Sequence, residues 1–144
     1  FHEDRRVIRV AVGEAPRPDG RGARPSLSRT MGSIVFVFVL LGLLLALLGV
    51  PLLRRRIPPN ALYGLRIRAT LEDERVWYEA NEATGRDVVV FGLLFAGAAL
   101  VASLFEWTDE AYGAAGSGLL LVGTLVLVVR GYAHARRAQD RPGA

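Results

Sequence analysis

The side chains able to do specific chemistry sit in one polar stretch, residues 54–87, of an otherwise apolar chain. Within it stand Asn60, Tyr63, Gly64, Arg66, Thr70, Glu74, Trp77, Asn81, Gly85 and Arg86. These residue types recognise rather than react. Arg66 offers a planar fork for a carboxylate, a phosphate or exposed helix-end carbonyls, and Gly64 permits the turn that aims it. With Tyr63 and Glu74 it can form a polar cluster that receives a partner or ligand; equally, it can bind lipid phosphate or pair with a helix acid. Trp77 with Tyr78 reads either as a docking surface for a partner or as an interfacial anchor. Asn60 and Asn81 can hydrogen-bond each other or free backbone ends and so hold the loop in shape. Catalysis would require a nucleophile with its base, paired carboxylates in a site, or a metal, and the stretch supplies none of these sets. No enzyme and no cofactor is therefore expected. The chain has no Cys, and His134 is alone apart from His2, so no metal cluster can be assembled.

The same stretch contains its own structural punctuation. Pro58 and Pro59 remove backbone donors and push their predecessors toward extended geometry, so a preceding helix must end there or just before. Thr70 followed by Asp73 resembles a capping box with Asp in place of Glu, and Glu72, Asp73 and Glu74 suit the positive end of a helix dipole. A short interfacial helix over residues 71–84 follows from this. Val76, Trp77, Ala80 and Ala83 share one face, which can lie on the membrane surface or cover the spans from below. Gly85 then reads as a left-handed cap, and Asp87 as the start of the next helix.

What must position this loop is lipid-embedded. Of the 144 residues, 51% are hydrophobic, and three runs, about 34–53, 88–105 and 113–129, contain no charge. Each is long enough to cross a hydrocarbon core, where only a helix satisfies its own backbone. The expected fold is all-α, with three transmembrane helices and a short cytoplasmic interfacial helix between the first and second. Small residues at spacings of three or four (Gly42, Ala46 and Gly49; Ala98 and Ala102; Ala114 and Gly118) suit close packing within a bundle or a homo-oligomer. No ionisable residue lies between the span ends, which argues against transport by a single chain.

Charge placement orients the chain and disposes of nucleic acid as a partner. The net charge is +4, but residues 1–30 carry seven Arg against four acids, and no basic patch interleaved with aromatics follows. All basic side chains are Arg, as in a GC-rich bacterial genome. Arg54, Arg55, Arg56, Arg66, Arg68, Arg75 and Arg86 lie in the loop, and Arg130, Arg136, Arg137 and Arg141 follow the third run. The turn between the last two runs holds only the acids Glu106, Asp109 and Glu110. The positive-inside rule places the loop and C-terminus in the cytoplasm and the N-terminus outside, in the cell membrane. Seven Arg ahead of the first span oppose that orientation. Met31, the only Met, stands directly before the first apolar run, so the expected membrane domain is 31–144, with 1–30 a disordered or non-native extension.

The run Pro59-Asn60-Ala61-Leu62-Tyr63-Gly64-Leu65-Arg66, then Thr70-Leu71, Glu74, Trp77-Tyr78, Asn81 and Gly85-Arg86, resembles the signature of the SdpI family of small bacterial membrane proteins. One span before the loop and two after it also agree. Ile67-Arg68 departs from the Thr-Pro that many members carry after Gly-x-Arg. The resemblance implies an integral membrane protein acting in immunity to a secreted peptide toxin and in associated signalling, with a toxin or another membrane or cytoplasmic protein as partner. The second expectation is a structural or accessory subunit packed with another membrane protein.

Overall fold

The computed structural model describes residues 27–141, with side chains from residue 32 onward. They form α1 (Leu27–Leu53), the five-residue α2 (Arg68–Glu72), α3 (Glu74–Ala102) and α4 (Asp109–Gln139), with no strand among the described residues. The expectation for residues 1–30 falls, apart from the helix start at Leu27, outside that range. Helices α1, α3 and α4 are each long and apolar enough to cross a membrane. Their outward faces expose Phe36, Leu43, Leu47, Leu94, Leu121 and Leu125, an apolar surface far too extensive for water and natural in lipid. The chain is an all-α membrane protein with a short helix between its first and second spans.

Helix α3 is the centre of the bundle, packed along α1 on one side and α4 on the other, while α1 and α4 touch only slightly. The α1–α3 seam is backbone against backbone. A Cβ on Gly42 would come within 2.7 Å of the Gly92 carbonyl oxygen, and one on Gly49 within 2.7 Å of the Gly85 carbonyl oxygen. Antiparallel helices with glycines seven apart on each bring both pairs onto one face, so the axes approach as closely as main chains allow. Gly42, Ala46 and Gly49 thus pack as their spacing suggests, and the positions facing them are Gly85, Val89, Gly92 and Ala96, not Ala98 and Ala102. On α4 the recesses are Gly116, against the Phe38 ring, and Gly123, against Phe91; around Gly118 a Cβ would meet nothing. Phe38 also packs at 5.8 Å on both Phe95 and Tyr112. The Tyr112 hydroxyl donates to the Ala99 carbonyl at 2.6 Å, tying α4 to α3 near the acidic turn.

The expected helix over 71–84 is not separate. Leu71 and Glu72 end α2, Asp73 breaks the helix, and residues 74–84 are the start of α3, which runs unbroken through Gly85 and Asp87 into the second span. Gly85 is helical because its missing side chain lets α1 in: a Cβ there would lie 2.5 Å from the Leu53 nitrogen. The capping assignment shifts as well. Asp73 is the N-cap of α3, its carboxylate accepting from the amides of Arg75 at 2.8 Å and Val76 at 3.2 Å. Thr70 belongs to α2 and folds back on the loop.

Candidate functional site

The loop is built around buried polar side chains whose partners are all main chain. After the two prolines, the Asn60 carboxamide oxygen accepts from the amides of Leu62 and Tyr63, both at 2.8 Å. Its nitrogen donates to the carbonyls of Pro58 at 2.8 Å and Tyr63 at 3.3 Å. This is a side chain standing in for a turn. The Tyr63 hydroxyl donates to the Leu48 carbonyl of α1, and burial raises the phenol above its usual value, so it remains a donor at neutral pH. Gly64 follows at φ +107°, a left-handed conformation that suits glycine, and a Cβ there would meet the Asn81 carboxamide oxygen at 2.5 Å.

That turn delivers the Leu65 amide to Asn81 of α3, which accepts at 2.5 Å while donating to the Trp77 carbonyl at 3.0 Å. Thr70 accepts from the Ile67 amide at 3.1 Å and lies 2.8 Å from the Leu65 carbonyl as a donor. The Trp77 indole N–H donates to the Ile57 carbonyl at 2.9 Å. Thr70 and Trp77 are 0% exposed and Asn81 3%. Unpaired polar groups at such burial are costly, so the satisfied set specifies one loop conformation beneath the helices.

The motif therefore divides in two. Asn60, Tyr63, Gly64, Thr70, Trp77, Asn81 and Gly85 hold the loop and the α1–α3 seam in place. Trp77 is neither a docking surface nor an interfacial anchor, because Val76, Trp77 and Ala80 are sealed inside the protein. Asn60 and Asn81 do not bond each other. Arg66, Glu74 and Arg86 are exposed. Arg66 forms no cluster with Tyr63 and Glu74, and neither Arg66 nor Glu74 has an ion pair among the described residues.

Sequence reading missed the groups that join α3 to α4 at this end. Asp87 receives the Arg130 guanidinium at 2.7 and 3.1 Å and lies 2.9 Å from His134 Nε2, so His134 is not isolated. Arg75 donates to the Ala138 carbonyl at 3.0 Å, and Arg55, in the turn after α1 at φ +52°, pairs with Glu82 at 2.6 Å. The only sequence signal was a lone Asp beside an apolar run and an Arg–His pair spaced one helical turn apart. Among the described residues no three His, Asp or Glu converge to hold a metal ion.

The bundle also carries an apolar cleft of about 350 Å³ opening between α1 and α4, lined by Leu48, Gly49, Tyr63, Thr84, Leu127 and Val128 among others. The Thr84 hydroxyl is buried without a hydrogen-bond partner. Such an arrangement can take up an apolar segment. Residues 56–132, just over half of the chain, match the SdpI/YfhL protein family. No curated protein and no solved structure matches the chain.

Proposed function

We propose, for a chain that belongs to the SdpI/YfhL family, that it is a non-enzymatic binding protein giving immunity to a membrane-active peptide toxin or signalling its presence. The observation that carries this reading is the cleft between α1 and α4. It opens where lipid would otherwise sit, and Tyr63 and Gly64 of the locked loop form part of its wall. A peptide that partitions into the bilayer reaches such a cleft by lateral diffusion. Beyond the loop's rigid part, Arg66 stands exposed and unpaired, suited to a carboxylate. An accessory role is the second reading, since a partner's transmembrane helix fits the same cleft.

The test is complementation. A host lacking the gene becomes sensitive to the peptide toxin of its own culture, and the wild-type gene restores protection. Arg66→Ala and Val128→Trp, which fills the cleft, accumulate normally yet lose at least about tenfold in protection, the worth of one desolvated charge-assisted hydrogen bond. Full protection from both variants at normal level would shift the reading to the accessory role.

The orientation belongs to the same proposal: loop and C-terminus in the cytoplasm, N-terminus outside, in the cell membrane. Its support is that the eleven Arg after Met31 all lie at the bundle end that carries the loop and the end of α4. A C-terminal fluorescent reporter that folds only in the cytoplasm should glow, and a C-terminal phosphatase that works only outside should stay silent; the reverse pattern inverts the topology.

A further inference from the structure

At the loop end of the bundle, α3 and α4 border a half-open polar cavity of about 410 Å³, with Arg55 from the turn after α1 on its wall. This volume falls within the range of small-ligand sites, about 300–1,000 Å³. Four guanidiniums (Arg55, Arg86, Arg137 and Arg141) and two carboxylates (Glu79 and Glu82) face it. Both carboxylates have Arg partners, while Glu79 Oε2 is buried and accepts no hydrogen bond. Arg55 holds Glu82 at 2.6 Å, while Arg75 lies 3.3 Å and Arg141 3.8 Å from Glu79. Arg86 and Arg137 are exposed and have no carboxylate partner among the described residues, so their charge is uncompensated. Arg75 also covers the Ala138 carbonyl at 3.0 Å, removing one of the helix-end oxygens that would repel an anion.

Position adds to charge. Arg86 lies two residues before the apolar run that begins at Val88, and Arg137 two helical turns beyond the one that ends at Val129, so the cavity sits where a bilayer places its phosphates. We propose that this cavity holds a phosphate-bearing anion, the headgroup of an acidic phospholipid or a soluble phosphate ester. Arg86 and Arg137 supply the forks that meet phosphate oxygens in pairs, and a basic pocket between spans at the membrane surface is the setting in which acidic headgroups are held. The site is separate from the α1–α4 cleft and does not depend on the immunity reading.

The full chain, purified in a mild detergent, is examined by native mass spectrometry with added phosphatidylglycerol or phosphatidylcholine, and then with inorganic phosphate as competitor. The expected result is retention of phosphatidylglycerol over phosphatidylcholine. The double variant Arg86→Gln, Arg137→Gln should weaken that retention by about thirtyfold, from two cations each contributing at a membrane surface. Both side chains are exposed and unpaired, so the variant folds; an unchanged melting curve verifies this. Arg68→Gln, whose side chain pairs with Glu72 on α2, serves as control and should bind as wild type does. Retention that inorganic phosphate does not displace assigns the site to lipid, and displacement at millimolar phosphate assigns it to soluble esters. Equal retention of the two lipids without displacement by phosphate, or wild-type retention by the folded double variant, overturns the proposal.

Discussion

Trp77→Ala should nearly abolish accumulation of the folded protein in the membrane. The indole is the largest fully buried side chain, and truncating a buried aromatic costs about 3–5 kcal/mol in lost contacts and residual cavity. The Ile57 carbonyl would also lose its 2.9 Å donor, adding about 1 kcal/mol. Against a total stability on the order of 5–15 kcal/mol, that is enough to unfold much of the population. Trp77→Phe keeps most of the volume and loses the hydrogen bond, so it should accumulate at an intermediate level with a lowered melting temperature. Membrane abundance and thermal melting in detergent measure both. A Trp77→Ala protein made and melting like wild type would show that the loop's core contributes nothing.

The second large effect is expected at the α1–α3 seam, from the addition of one methyl group. Gly92→Ala places a Cβ 2.5 Å from the Gly42 carbonyl oxygen and 2.6 Å from the Ala46 nitrogen, both main chain, so no side chain can swing away. Overpacking of this kind costs about 1–3 kcal/mol where side chains yield, and here the helices themselves must separate. Gly97→Ala on the same helix meets nothing within 4 Å and gains about 1 kcal/mol of helix propensity. The two variants should therefore move the melting temperature in opposite directions. A Gly92→Ala protein as stable as Gly97→Ala would mean that the seam is not closed in the membrane.

These expectations mark where one-dimensional reading stops. The three spans were legible because a charge-free run of that length has one stable form in lipid. Their helices nevertheless extend past the runs, α3 by fourteen residues from Glu74 to Asp87, since hydropathy reports immersion and not helicity. Trp77 beside Tyr78 in a polar loop looked like a surface pair; only the fold reveals that the loop closes over it. Gly85 looked like a stop because glycine after an amphipathic segment commonly caps, yet the same missing side chain serves close approach. Asp87 and His134, 47 residues apart, meet only once the register of α3 against α4 is known. Most of the motif's polar residues are bound to backbone, and that assignment requires coordinates.

The unbroken course of α3 gives the molecule a mechanical property. Its 29 residues make a rod of about 43 Å at about 1.5 Å per residue, against about 30 Å of hydrocarbon. Roughly 13 Å of it therefore extends beyond the hydrocarbon into the headgroup zone as a stub, and no hinge separates stub from span. The stub is gripped by the loop, by Arg55 pairing with Glu82 and by Arg75 reaching the Ala138 carbonyl of α4, so it is fixed to the span as one continuous piece.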